Sequence, residues 1–257
     1  MTQDERRKYL IGYMLSERAL RAPGGAPATA DEARHLLRAL FNTRPPIPAG
    51  EEFLRVQDEY LKEEIRRKGI TDISDIVEAK PDIYLWQGDI TTLRCDAIVN
   101  AANSALLGCF SPNHACIDNA IHTFAGVELR LACNEIMEEQ GHSEEVGGAK
   151  ITPAYNLPSR YVIHTVGPTV MGRLTEKERE QLASCYRACL DIAEKNGAGS
   201  IAFPCISTGV FRFPPAAAEE IAVRTVTEFK AERKDKIKVI FNVFKDADYE
   251  IYRQLLG

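Results

Sequence analysis

Residues 96–103 read DAIVNAAN. The apolar run through Val99 shows no polar alternation, the pattern of a strand buried on both faces, and it stops at once in an asparagine-containing turn. The same pattern recurs in IYLWQG (83–88), KITPAY (150–155), YVIHTVG (161–167), SIAFPCI (200–206) and KVIFNVF (238–244). Helical periodicity near 115–126, 127–140, 175–196, 214–234 and 246–256 separates these runs. Apolar strands alternating with helices predict an α/β fold with three layers, α/β/α. Ligands bind beyond the carboxyl ends of the strands in such sheets, so the polar turns that follow strands are where functional residues are expected.

Upstream of Ile83 the pattern is different. Helices are expected over 4–20, 31–41 and 51–68, joined by RAPGGAPAT (21–29) and NTRPPIPAG (42–50), whose prolines break any helix running through them. Asp31, ahead of EARHLLRAL, is the expected cap of the second helix. The chain therefore divides into a helical N-terminal extension, 1–80, and a main domain, 81–257. The extension carries no catalytic cluster and reads as a module packed on the main domain, with partner docking as the alternative.

Composition narrows the function classes. The chain has 257 residues, a formal net charge of −5 and 45% hydrophobic residues. That balance argues against nucleic-acid binding by bulk electrostatics and favours a small, discrete ligand. No run approaches the roughly 20 apolar residues needed to span a bilayer, and MTQDERRKYL is too charged for a signal peptide; a cytoplasmic protein is expected. Seven cysteines are scattered along the chain, most within apolar runs where they pack as small hydrophobes.

Three strand-end turns stand out: GDIT (88–91), NAAN (100–103) and STGVFRFPP (207–215). The segment Ser207, Thr208, Gly209, Val210, Phe211 leads into a helix beginning near Pro214 or Pro215, where backbone N–H groups and the positive helix end can hold an anion. By itself such a loop also serves as a plain tight turn. Asp89 is either a turn residue or an acceptor for an exocyclic amine such as that of adenine; Asn100 and Asn103 either contact hydroxyls or satisfy the turn. No Walker motif and no G-x-G-x-x-G follows a strand, which argues against a nucleotide hydrolase or a dinucleotide dehydrogenase.

The densest chemistry lies in GCFSPNHACIDNAIH (108–122). Cys109 and Cys116 are up to about 24 Å apart when extended, whereas two thiolates on one zinc ion lie within roughly 4 Å, so Gly108 and Pro112 must fold the segment back. The spacing C-x4-H-x-C is not that of zinc fingers. Cys109, His114 and Cys116 form either a three-ligand metal site with an open position, a redox pair, or an incidental grouping; Asp118 or His122 would make a fourth ligand in a closed structural site. His122, beside Ile117, Ile121 and Phe124, reads as a structural histidine, as does His164 within its strand.

Taken in order, GDIT, DAIVNAANS, IDNAIHTFAG, LPSRYVIHTVGP and IAFPCISTGVFRFP resemble the macrodomain family of ADP-ribose-binding domains over about 83–256. Where many macrodomains have a run of glycines, this chain has GCFSPNHAC, and with the helical extension it resembles the zinc-containing macrodomains, often encoded beside a sirtuin-type ADP-ribosyltransferase. The resemblance implies a three-layer macrodomain with a mixed central sheet. It implies Zn(2+) on Cys109, His114 and Cys116; Asp89 and Ile90 at the adenine; Asn103 at the distal ribose; Ile117, Asp118 and Asn119 around the diphosphate and distal ribose; and Ser207, Thr208, Gly209, Val210 and Phe211 at the diphosphate. Asp118 is the expected base or water-orienting group, with Asn103 beside it. The implied activity is removal of mono-ADP-ribose from modified proteins, acidic side chains being the expected linkage and a lipoyl-carrier protein the expected substrate. A non-catalytic ADP-ribose reader and an O-acetyl-ADP-ribose deacetylase are the alternatives.

Overall fold

The computed structural model describes residues 1–19, 25, 27–233 and 236–257. The expected helix ends at Leu20 and Lys234, and much of the connection 21–29, lie outside the described residues. Three helices come first: α1 (Gln3–Glu17), α2 (Ala30–Thr43) and α3 (Glu51–Lys68). Thr29, not Asp31, caps α2: its side chain accepts from Glu32 N–H while Glu32 reaches back, the reciprocal pairing of a T-x-x-E box. The three helices close on Leu10, Met14, Leu37, Phe53 and Val56, all at most 2% exposed. Arg44 is buried against them and makes a bidentate pair with Glu17, at 2.8 and 2.9 Å.

The chain then passes through β1 (Thr71–Asp72), β2 (Glu78–Lys80), β3 (Ile83–Gln87), β4 (Leu93–Arg94) and β5 (Ala97–Ala102), with short 3-10 turns at Ile73–Asp75 and Ile90–Thr92. Next come α4 (Ile117–Ala125), α5 (Val127–Gln140), β6 (Ala149–Pro153), β7 (Tyr161–Val166) and α6 (Glu176–Lys195). The last elements are β8 (Ser200–Phe203), α7 (Pro215–Arg233), β9 (Lys238–Val243) and α8 (Asp246–Leu256). The seven-stranded sheet runs β2-β3-β9-β8-β5-β7-β6. Its five inner strands are parallel, and β2 and β6 pair antiparallel at the edges. It is a mixed sheet in a three-layer α/β/α domain, preceded by an all-helical region.

The strand DAIVNAA shows why it is apolar throughout. Ala97 and Val99 face a core built with α6, α7 and α8, including Tyr186, Phe203 and Phe229. Ile98 and Ala102 face the opposite core with Ile121, Leu129 and Ile240. Burial of each large apolar side chain contributes about 1.5–3 kcal/mol, so neither face tolerates a polar residue without compensation. Strands β1, β2 and β4 escape sequence reading because two or three residues carry no period.

The extension and the main domain share packing. Ile65 of α3 and Ile76 belong to the sheet-side core, Val127 of α5 belongs to the helical core, and the division at residue 80 falls between the paired strands β2 and β3. Among the described residues no helix is long and apolar enough to cross a membrane.

Candidate active site

The parallel strands β3, β9, β8 and β5 are neighbours in that order, so their carboxyl ends line one edge of the sheet. Along it stand Asp89 after β3, Phe244 after β9, Ser207 after β8, and Asn103 after β5. Three inter-strand spacings cover about 14 Å, the scale of a nucleotide diphosphate rather than of a single sugar. Strand order thus brings together residues that are up to 155 positions apart in sequence.

At the β5 end, the segment from Leu107 to Cys116 has no regular structure of its own. Side chains hold it. Asn103 Nδ2 donates to Gly108 O at 3.1 Å, Arg130 Nε to Leu107 O at 2.7 Å, and Asn119 Nδ2 to Ser111 O at 3.0 Å. Gly108 has φ of +81°, and a β-carbon there would lie 2.7 Å from the ring of buried His122, so both backbone and space require glycine. So folded, the segment brings Cys109, His114 and Cys116 together with their ligand atoms all within 4.8 Å of one another, Cys109 Sγ lying 3.6 Å from His114 Nδ1. Two sulfurs and one imidazole nitrogen at this separation fit a zinc ion with an open fourth position. Neither Asp118 nor His122 joins this group of donors. Cys116 is also the N-cap of α4, its Sγ accepting from Asn119 N–H at 3.4 Å, and burial pushes its thiol up to about 12.

Asp118, in the first turn of α4, is 5% exposed. Asn100 Nδ2 donates to its Oδ1 at 2.8 Å and Asn103 Nδ2 to its Oδ2 at 3.3 Å. Burial pushes the carboxyl up to about 6, against the pull of Asn100, the Arg130 charge and Asn103. It is therefore mainly ionised at neutral pH, and the two donors leave further lone pairs on both oxygens. Beneath it, His122 Nε2 lies 3.6 Å from Asp118 Oδ1, and burial holds this imidazole well below its ordinary value. His164 is fully committed. Its Nδ1 accepts from Asn100 Nδ2 at 3.2 Å, so Nε2 carries the proton toward Thr152 Oγ1 at 3.0 Å, and burial takes it down to about 3. It is a neutral structural histidine.

At the far end, Asp89 caps the 3-10 turn that begins at Ile90. Its Oδ1 accepts from Thr91 N–H and Oγ1 at 3.0 and 2.6 Å, and its Oδ2 pairs with Lys68 Nζ at 2.8 Å. Burial alone would raise this carboxyl; Lys68 and Thr91 outweigh it and keep it ionised. Lys68 also stands 3.4 Å from the centre of the Phe124 ring. Between the two ends, the turn after β8 closes on itself: Phe213 N–H donates to Ser207 O and Arg212 N–H to Gly209 O, both at 3.0 Å. Ser207 sits at φ +66°. Among the described residues, the N–H groups of Gly209, Val210 and Phe211 donate to no protein acceptor. The first-turn N–H groups of Ile117 and Asp118 are likewise without a protein acceptor among the described residues, a second set of donors suited to an anion.

Sequence reading overlooked five contributors. Arg130 and Lys68 carry no local motif; Arg38 and Asn42 of α2 reach the site only through the packing of the extension. Phe244 follows β9 directly and is 77% exposed, a ring face at the strand-end edge that composition alone would not single out.

The fold and this edge define a class: a three-layer α/β/α domain with backbone N–H donors suited to an anion at the carboxyl ends of its strands, and without a Walker or dinucleotide motif. The chain belongs to the macro domain family, whose profile matches residues 99–222. Over its whole length and that of the relative, it is 54% identical to a protein from Treponema medium named protein-ADP-ribose hydrolase. A protein of the same name from Staphylococcus aureus (strain MRSA252) is 49% identical, over 97% of this chain and 94% of that one. Among solved structures, the Trypanosoma brucei macrodomain in complex with ADP-ribose is 29% identical with a TM-score of 0.66, covering 86% of this chain and 95% of that chain.

Proposed function

We propose that the protein is a zinc-dependent hydrolase that removes mono-ADP-ribose from modified proteins, with ADP-ribose lying along the carboxyl ends of β3, β9, β8 and β5. The observation that carries this reading is the adjacency of a buried, hydrogen-bonded carboxylate, Asp118, to the three-donor group of Cys109, His114 and Cys116. A reader needs a pocket; it does not need a buried carboxyl anchored by two amide donors next to a metal-binding set.

In this reading adenine lies against the Phe244 ring, with its amine toward Asp89 and the Ile90 backbone. The diphosphate takes the free N–H groups of Gly209, Val210 and Phe211, with Ser207 and Thr208 shaping the turn, and those of Ile117 and Asp118. The distal ribose lies between Asn103, Asn119 and the metal-binding set. Hydrolysis adds water across the bond between ribose and side-chain oxygen. Asp118 orients the attacking water and takes its proton, and an acidic side chain departs as carboxylate, the easiest leaving group among common linkages. Asn100 and Asn103 fix both carboxylate oxygens, so the base does not reorganise during the step. Cys109, His114 and Cys116 would hold the zinc ion, which when bound would supply Lewis-acid chemistry, made mild by the two thiolates.

A lipoyl-carrier protein as substrate and a sirtuin-type ADP-ribosyltransferase as the opposing enzyme belong to the same proposal. Release of ADP-ribose from proteins modified on acidic, serine and arginine side chains tests it. The expected result is turnover of the acidic linkage. Binding without release would make the protein a reader, and release only from O-acetyl-ADP-ribose would make it a deacetylase.

A further inference from the structure

The helical extension reaches the metal-binding segment directly. Arg38 of α2 donates to Asn119 Oδ1 through Nε at 3.2 Å and Nη2 at 2.9 Å, and Nη2 also donates to His114 O at 3.2 Å. Asn119 is fully buried and is the hub of this segment. Its side-chain amide donates to Cys109 O and Ser111 O, and its backbone N–H donates to Cys116 Sγ. One turn along α2, Asn42 Oδ1 accepts from Asn113 N–H at 2.9 Å, at a residue with φ of +55°, while its Nδ2 donates to Thr123 Oγ1 at 2.9 Å. The C-terminal end of α2 and the residue after it serve the other end of the same segment: Arg130, which holds Leu107 O, also donates to the carbonyls of Phe41 and Arg44.

A ten-residue segment without regular structure needs such supports to keep three side chains converged, because ordering each residue costs backbone entropy that no helix or strand hydrogen bonds offset here. Arg38 differs from the other arginines lining the adjoining cleft. Arg34 is paired with Asp31, and Arg67 with Glu63 and Glu64, whereas the contacts of Arg38 all go to uncharged oxygens of the site. A planar guanidinium that bridges a side-chain amide and a backbone carbonyl fixes both in orientation as well as distance.

We infer that Arg38 is a positioning residue for the active site: acting through Asn119 and the His114 carbonyl, it holds Cys109, His114 and Cys116 in a metal-ready arrangement, so that the N-terminal extension is a working part of the site. The inference rests on the proposed metal reading.

The test uses the full-length protein as wild type, Arg38→Ala and Arg38→Lys, with zinc affinity measured by chelator competition, ADP-ribose affinity by calorimetry, kcat and KM from ADP-ribose release, and thermal unfolding as the check on folding. Supports around metal ligands typically contribute 10–100-fold to metal affinity, so Arg38→Ala should weaken zinc by about tenfold or more and lower kcat while changing KM much less. Arg38→Lys, which can satisfy one acceptor at a time, should recover part of the loss. Unchanged zinc affinity and kcat in a folded Arg38→Ala protein would overturn the inference. Failure of the wild type to bind zinc at all would overturn the metal reading instead; the clamp is then judged on ADP-ribose release, where an unchanged kcat in Arg38→Ala overturns it too.

Discussion

At the scale of single residues, the site is built from side chains whose roles are set by what they lack. Asp118 has no cationic partner in contact, only the amides of Asn100 and Asn103, so it is held in place without being neutralised. Replacing it with alanine should cut ADP-ribose release by about a hundredfold or more while weakening ADP-ribose binding far less, because a positioned proton acceptor contributes 10²–10⁴ to rate. An unchanged rate would remove it from the mechanism. A second carboxyl is perturbed away from the site. Glu219 of α7 is wholly buried, neither of its oxygens has a partner, and burial together with the Asp248 carboxylate pushes it up to about 8. Its folded value lies above its unfolded one, so the folded state holds an extra proton between about pH 4.5 and pH 8. The stability this supplies is full below the unfolded value and is lost as pH rises through about 8. Glu219→Gln, which mimics the protonated form, should show a Tm that falls less steeply from pH 5 to pH 8 and should be the more stable protein at pH 8. Equal slopes for the two proteins would contradict the assignment.

At the scale of elements, the turns that were legible in sequence are contiguous motifs. GDIT, NAAN, STGVF and the Cys-His-Cys segment each carry their chemistry within a few positions, so the residues and their proximity are read together. The elements that aim them are not contiguous. Arg130 lies 23 positions from the carbonyl it supports, and Asn42 lies 71 from Asn113. Helical periodicity places such residues on a face without saying what the face meets. His122 is intermediate: its apolar neighbours mark it as a satisfied structural histidine, and it is buried, but neither ring nitrogen has a hydrogen-bond partner, and only the packing shows its ring lying against Gly108 and next to Asp118. That contact makes Gly108 a sensitive backbone position of the segment. Gly108→Ala combines a left-handed φ with a clash against a buried ring, each costing on the order of 1–3 kcal/mol. We expect a clear drop in Tm together with weaker zinc binding; a Tm equal to that of wild type would mean that the segment relaxes freely and the supports described above are dispensable.

At the scale of the whole molecule, the proposed anionic ligand is compatible with an acidic chain, because the donors offered at the strand ends are backbone N–H groups and not a cationic patch. The three-layer domain was readable from DAIVNAA and its companions, since strands buried on both faces leave an uninterrupted apolar signature. The extension was readable as helices but not as part of the site, because its contribution passes through Arg38, Asn42 and the backbone carbonyls at the end of α2. The central claim is that Asp118 and the metal-binding set act together to release ADP-ribose. The most direct measurement is release of free ADP-ribose from a protein mono-ADP-ribosylated on an acidic side chain, using zinc-loaded wild type, chelator-stripped wild type and Cys116→Ala, with metal content determined for each. Turnover is expected of the loaded protein, with loss of most turnover in the other two and ADP-ribose binding partly retained. Full-rate release by protein shown to contain no metal would contradict it.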